Sequence, residues 1–177
     1  VIPVLALRFM LFRVELGAGL IKLRHDACWR NLTCLYFHHE TQPMPNPLSA
    51  LAHRLPKVAL RGGVAFSHFV QVVVPFGLFL PQPIASVSGG LIIAHQLLLI
   101  AFGNYAWLNW LTVVLGLSAM DDRVFESVMP HVIGAHAIGR SLGFDIALVV
   151  LGIGTIALGV APTKDLFSKH QKMNSTY

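Results

Sequence analysis

The chain has 177 residues, of which 55% are hydrophobic and only 12% are charged. Soluble domains carry about 25% charged residues. This composition, with a mean hydropathy of +0.66, therefore excludes an ordinary soluble domain and predicts an all-α, multi-pass transmembrane helical bundle. The net charge of +5 does not indicate nucleic-acid binding, because the basic residues are scattered and no soluble domain is evident to carry them.

Apolar stretches of about 20 residues, the length that crosses a bilayer, predict about five membrane spans. No formally charged residue occurs between Arg61 and Asp121. Pro81 and Pro83 separate two spans within this stretch, because proline cannot continue a helix interior. The spans are predicted at about residues 2–22, 63–80, 84–102, 105–120 and 141–161.

The first predicted span carries three charged residues at a spacing of seven, Arg8, Glu15 and Lys22. Each step of seven turns about 20° around a helix, so the three side chains share one face. A charge at bilayer depth costs about 2.5–3.5 kcal/mol and usually pairs inside the bundle. The spacing predicts a structural ion pair of Arg8, Glu15 and Lys22. The alternative makes Lys22 a general base, which requires a neutral lysine.

A polar segment, residues 23–62 and here called the strap, follows the first span and holds the only two cysteines, Cys28 and Cys34. If the strap faces an oxidising compartment, the pair predicts a disulfide. Two free thiols remain an alternative. A catalytic thiol relay is the third, and the absence of a C-x-x-C spacing argues against it.

The strap also contains paired histidines and a proline repeat. Prolines at every second position favour extended, rigid backbone, so we expect an ordered Pro-rich extramembrane loop that can contact a client protein. Consecutive histidines rarely converge on one ion, and no metal site is predicted. The predicted client-contact residues are Trp29, His38, His39, Glu40, Pro43, Pro45 and Pro47.

Polar side chains recur within the apolar spans, among them His68 and His95. One interpretation is interhelical hydrogen bonding. The other is a polar cavity for a head group, a quinone-like ring or a peptide, in which His68, His95 and Lys22 are the candidate catalytic residues. No nucleotide-binding, lipase or zinc motif is present, and no cofactor is predicted.

A close resemblance to the lipase maturation factor family is carried by the run GAGLIKLRHDACWRNLTCLYFHHETQPMPNPLS, Gly17 to Ser49. The likeness continues through VVPFGLFL, Val73 to Leu80, and GNYAWLNWLTVVL, Gly103 to Leu115. The resemblance implies a multi-pass membrane protein that, in animals, lies in the endoplasmic reticulum and helps secreted lipases fold and assemble. The family continues into a large extramembrane domain, so we expect residues 162–177 to begin a truncated domain. A start without methionine predicts an upstream natural N-terminus.

A fainter resemblance, to the membrane domain of vitamin K-dependent γ-carboxylase, is carried by Ala18-Gly19-x-x-Lys22-Leu23 and Trp29. It implies that Lys22 corresponds to the proposed base of that enzyme. The chain is more similar to the maturation factors, so a non-enzymatic role is favoured over this one.

Two features predict opposite orientations of the strap. Basic residues are concentrated on the strap face, which the positive-inside rule places in the cytoplasm. The cysteine pair and the luminal C-terminal domain of the resembled family place the strap and the C-terminus on the exoplasmic side, which we favour. The membrane would be the endoplasmic reticulum in a eukaryote and the cell membrane in a bacterium.

Three functions are expected from these features. The first is a membrane-bound factor for the folding or assembly of exported proteins such as lipases. The second is a membrane enzyme that acts on a lipid, a quinone or a peptide. The third is a scaffold for other membrane subunits.

Overall fold

A computed structural model describes residues 2–42, 45–103, 107–128 and 141–168. Every regular element within these ranges is helical, which confirms the predicted α-helical membrane bundle. The α-helices are α1 (Ile2–His25), α2 (Ala27–Arg30), α3 (Leu35–Thr41), α4 (Pro47–His53), α5 (Lys57–His68), α6 (Ile84–Phe102), α7 (Trp107–Leu117), α8 (Asp122–Val128) and α9 (Leu142–Leu166).

Three described segments are long and apolar enough to cross a bilayer: Lys57–Phe79, α6 and α9. Helix α6 has the bounds predicted for the third span, and α9 extends the predicted fifth span by five residues to Leu166. Helix α1 has 24 residues but several charges, and α7 has 11 residues. The prediction of five spans therefore stays a prediction for α1 and α7.

The second span begins as α5 and is distorted around Pro75. Residues Phe69–Val73 form a π-helical turn, and Val74–Phe79 form a 3-10 helix. Proline has no N–H to donate, and its ring clashes with the carbonyl of the residue four positions earlier. That residue is Gln71, so the helix widens there before it tightens.

The strap folds into the short helices α2, α3 and α4, followed by the first turns of α5. The expectation of extended backbone is wrong for Pro47, which begins α4. Proline is favoured at a first helical position, where its missing N–H costs nothing. Asn46 and Ser49 complete the start of α4, since each accepts a hydrogen bond from the backbone N–H of the other, at 2.8 and 2.9 Å. Pro43 lies outside the described residues.

Helix α1 packs at the centre of the described bundle, against α7, α9 and the distorted second span. Leu11 of α1 and Leu78 of the 3-10 segment are both fully buried in the apolar core. The buried core cluster comprises Leu11, Val70, Val74, Leu78, Ile92, Leu115 and Ala119.

Helices α6 and α7 pack closely through glycine. A Cβ built on Gly89 would lie 2.8 Å from both the Ala119 Cβ and the Gly116 carbonyl oxygen, whereas one on Gly90 would meet only the Met120 Cε at 3.8 Å. We therefore expect Gly89→Ala to lower the free energy of unfolding by about 1–3 kcal/mol through overpacking.

Gly90→Ala is the matched control for this substitution, because it adds the same atom to the neighbouring position on α6 without a clash. We expect it to be neutral or slightly stabilising, since alanine favours helix over glycine. Denaturant titration of the two purified variants in detergent measures the difference. Equal stabilities would contradict the proposed contact.

Candidate functional site

Lys22, near the C-terminal end of α1, is held by side chains of the second span. Its ammonium donates hydrogen bonds to Gln71 Oε1 at 2.8 Å and to Ser67 Oγ at 3.2 Å. The same serine oxygen lies 3.2 Å from Nε2 of His95 on α6. These four residues, Lys22, Ser67, Gln71 and His95, are called the Lys22 cluster. The π-helical turn that Pro75 induces contains Gln71, so the distortion contributes directly to the cluster.

A second polar chain joins α1 to α6 and α7. Gln96 donates to Glu15 Oε1 at 2.5 Å, and Asn109 donates to Gln96 Oε1 at 2.7 Å. Glu15 is fully buried and Gln96 nearly so. Glu15 and Lys22 also attract each other electrostatically. The Glu15 carboxylate and these two amides therefore connect α1, α6 and α7 through hydrogen bonds.

The strap is attached to the Lys22 cluster through Trp29. The Lys22 ammonium lies 4.7 Å from the centre of the indole ring, which is cation–π geometry. His68 Nε2 donates to the Trp29 carbonyl oxygen at 3.0 Å. The indole also contacts the His38 ring, at a centroid distance of 6.2 Å. The tryptophan predicted to contact a client is thus half-buried against the helices.

Two strap side chains complete the C-terminal end of α6. Gln42 donates to the Phe102 carbonyl oxygen at 3.1 Å, and Asn46 donates to that of Ala101 at 3.0 Å. The last carbonyl groups of a helix lack partners within it, so these bonds fix the strap over the end of the span.

A cavity of about 270 Å³ lies between the strap and the helices α1, α5 and α6, and is called the strap cavity. Lys22, Ser67 and the histidines contribute polar side chains to its wall. The remaining wall is largely apolar. The lining residues are Lys22, Trp29, Leu35, His38, His39, Ala52, Leu55, Ala59, Leu60, Gly63, Phe66, Ser67, His95, Leu98, Leu99 and Phe102.

The structure does not bring Arg8, Glu15 and Lys22 into direct ion pairs. Arg8 donates to the carbonyl oxygens of Ser118 at 3.0 Å and of Leu78 at 3.2 Å, at the end of α1 far from the strap. Lys22 uses neutral acceptors instead. Both cations therefore donate to neutral acceptors on other segments, which their spacing along α1 does not predict.

Cys28 and Cys34 are joined by a disulfide in the structure, with their Cα atoms 4.7 Å apart. Backbone hydrogen bonds close the same loop, from the N–H groups of Thr33 and Cys34 to the Cys28 carbonyl oxygen, at 2.8 and 3.2 Å. Leu32 lies within this loop in the left-handed region, with φ of 58°. The loop positions Trp29 next to the Lys22 cluster.

The residues predicted to contact a client divide into two groups. In the first group, His39 is buried, Trp29 and His38 are half-buried, and all three line the strap cavity. Glu40 and Pro47 are exposed, as is Pro45. His53 Nε2 lies 2.8 Å from the Glu40 carboxylate on this outer face. Within the described ranges, no group of three or more His, Cys, Asp or Glu side chains is arranged to hold a metal ion.

A family model described as the lipase maturation factor transmembrane domain matches residues 1–127. The chain belongs to the lipase maturation factor family. The resemblance seen in the strap sequence is thereby confirmed, and the matched region includes the strap and the whole Lys22 cluster. Helix α9 lies beyond it.

Named relatives in this family cover most of the chain. It is 38% identical to lipase maturation factor 1 of Bos taurus over 96% of its length, and 46% identical to that of Homo sapiens over 70%. It is 36% identical to lipase maturation factor 2 of Xenopus tropicalis over 75%. The alignments cover 34%, 22% and 19% of these relatives, so the chain spans about a third of their length or less. No solved structure matches the chain.

Two members of the cluster, Ser67 and Gln71, are not among the candidate site residues that the sequence predicts. Ser67 lies one helical turn before Gln71, and Pro75 lies one turn after it. A proline four residues after a glutamine inside a span is the sequence signal for the local distortion. The sequence contains no comparable signal that joins this turn to Lys22, which lies 49 positions from Gln71.

The strap of this maturation-factor chain is expected to lose stability in acid through His39. Burial, followed by repulsion from His38 and His53, lowers the pKa of His39 below its usual value of about 6.5. The unfolded state therefore binds a proton first as pH falls below about 6.5. Stability is lost from there down to the folded-state pKa, by at most about 1.4 kcal/mol per pH unit.

The melting temperature of the protein and of His39→Gln, measured from pH 7.5 to pH 5, checks this expectation. The variant should lose less stability than the parent over this range, and the two curves should run parallel above pH 7. Parallel curves throughout would show that His39 does not contribute.

Proposed function

We propose that the chain is the membrane part of a protein that assists the folding or assembly of exported lipases. The observation that carries this proposal is membership of the lipase maturation factor family over residues 1–127. Because the chain spans about a third or less of its relatives, the proposal assigns it the membrane anchorage and part of the client-contact surface.

The outer face of the strap supports a client-contact role. Phe37 of α3 and Leu51 of α4 are each 61% exposed, and Leu48 lies one turn from Leu51 on the same helix. Helices α3 and α4 pack against each other, so these apolar side chains are exposed on one ordered part of the strap. Exposed apolar side chains grouped on an ordered segment are typical of a protein-interaction surface. Glu40, Pro45 and Pro47 lie on the same two helices or between them.

A chimera tests the proposal. Residues 1–127 replace the matched segment of human lipase maturation factor 1, and the chimera is expressed in cells that lack their own factor. We expect secreted lipase activity to be restored. Phe37→Ser with Leu51→Ser should lower that activity several-fold at equal chimera abundance, because the contact surface loses its apolar groups.

The control is Leu97→Ser on α6, where a leucine of 44% exposure lies within a span. It should leave lipase activity near that of the unaltered chimera. A folded chimera without activity would overturn the proposed function. Equal activity of the strap variant and Leu97→Ser would show that the outer face of the strap does not contribute to that function.

We also place the strap and the C-terminal end of α9 on the exoplasmic side. The Cys28–Cys34 disulfide supports this orientation, since disulfides persist in oxidising compartments. In a eukaryote the membrane would be that of the endoplasmic reticulum, and in a bacterium the cell membrane. The partners would be exported lipases or other membrane subunits.

A second candidate function, a membrane enzyme with Lys22 as base, is favoured by one observation. Lys22 lines the strap cavity beside Ser67 and His95. Two of its N–H groups, however, donate to Ser67 and Gln71, an arrangement that suits a fixed cation better than a base. Full activity of a folded Lys22→Ala protein would end the enzyme hypothesis.

A further inference from the structure

The strap cavity has an unusual balance of charge. Among the described residues that line it, Lys22 is the only formally charged one and none has a carboxylate. Glu15, which precedes Lys22 by two helical turns on α1, is fully buried and does not line the cavity. The wall therefore favours an anionic group over a cationic one.

We propose that the strap cavity binds a fatty acid, with the carboxylate at Lys22 and the hydrocarbon chain among Leu60, Leu99 and Phe102. This inference is separate from the lipase proposal, because it concerns a small ligand of the cavity and requires no client protein.

The polar end of the cavity offers donors for a carboxylate. An ammonium has three N–H groups, and two of those on Lys22 donate to Gln71 and Ser67. The Nδ1 atoms of His39 and His95 are buried without a hydrogen-bond partner, and both histidines line the cavity. Buried polar atoms are normally hydrogen-bonded. A carboxylate has room for several donors, so it can bind the third lysine N–H together with a histidine N–H.

The size of the cavity limits the ligand. Its volume of about 270 Å³ is just below the about 300 Å³ at which small-molecule sites begin. One hydrocarbon chain of medium length suits this space, whereas a phospholipid with two chains does not. The proposed ligand is therefore a medium-chain fatty acid.

The wall also shows where such a chain can enter. Leu55 and Leu98 line the cavity and are 46% and 45% exposed, and Ala59, in the part of the strap that begins α5, is exposed as well. Ala59 belongs to α5 and Leu98 to α6, two helices of the membrane-spanning segments. The opening thus lies beside the bilayer, the compartment in which fatty acids concentrate.

Trp29 lines the cavity and can report binding directly. The chain has three tryptophans, and the other two, Trp107 and Trp110, are exposed on α7. Trp107→Phe with Trp110→Phe leaves Trp29 as the single fluorophore. The protein in detergent micelles is titrated with ω-bromodecanoic acid, whose bromine quenches tryptophan on contact. We expect saturable quenching.

Competition defines the head group. Unlabelled decanoic acid should restore the fluorescence, and methyl decanoate should compete about tenfold more weakly or worse, because the ester lacks the charge that Lys22 binds. Equal competition by acid and ester would overturn the carboxylate assignment, and quenching that does not saturate would overturn the site.

Further substitutions in the single-tryptophan protein test whether the fatty acid binds in the strap cavity. Lys22→Met should weaken binding about tenfold or more. Ala59→Phe should abolish it by filling the opening, and its exposed position makes misfolding a small concern. Ala65→Phe, at an exposed position of the same helix outside the cavity, is the matched control and should bind as the parent does. If Ala59→Phe binds like Ala65→Phe, the ligand lies elsewhere and the proposal is wrong.

Discussion

Replacing Glu15 with leucine is expected to lower the free energy of unfolding by about 2–3 kcal/mol. Leucine has a similar size but accepts no hydrogen bond, so the Gln96 amide that donates to Glu15 loses its partner inside the bundle. The substitution also removes the carboxylate that attracts Lys22. The Gln96 amide left without its acceptor inside the bundle is the more costly of these consequences.

Two further variants separate the causes of this loss. Glu15→Gln keeps an oxygen that can accept from Gln96 and removes only the charge, so its stability should lie between those of the parent and of Glu15→Leu. Glu126→Gln on the exposed surface of α8 should change stability by less than about 0.5 kcal/mol. Denaturant titrations in detergent provide the values. A leucine variant as stable as the parent would show that the polar chain through Gln96 and Asn109 has no stabilising role.

Local chemistry was sufficient to predict the ends of the best-defined helices. Helix α6 begins after Pro83 and ends before Gly103, two residues that interrupt helices, and its bounds are those predicted for the third span. Long apolar runs likewise predicted α9. Segments whose boundaries are set by their own residues are predictable from one sequence.

The contacts of the candidate site depend on residues distant in the chain. Spacing placed Arg8, Glu15 and Lys22 on one face of α1, but it did not identify the acceptors that meet each of them. Arg8 donates to the Leu78 and Ser118 carbonyl oxygens, Lys22 donates to Ser67 and Gln71, and Glu15 accepts from Gln96. These partners meet α1 only in the assembled bundle. The strap cavity arises in the same way, since no single element contains more than part of its wall.

Removing the disulfide is expected to destabilise the strap by about 2–3 kcal/mol. The Cys28–Cys34 bond joins two residues six positions apart. The loop between them contains Trp29, whose indole contacts Lys22 and whose carbonyl oxygen accepts a hydrogen bond from His68. In the double variant Cys28→Ser, Cys34→Ser, the free loop has more unfolded conformations available. We expect faster hydrogen exchange in α2 and α3, with little change in α6.

The same bond also bears on orientation, because it persists only where thiols are oxidised. Peptide mapping of protein purified without reductant and with free thiols blocked at lysis should find Cys28 linked to Cys34. If both cysteines instead carry the blocking reagent, the exoplasmic strap is contradicted. If they are linked but the double variant exchanges like the parent, backbone hydrogen bonds to the Cys28 carbonyl alone hold the loop. Trp29 would then keep its position over Lys22 without the covalent link, and the disulfide would mark the compartment without stabilising the site.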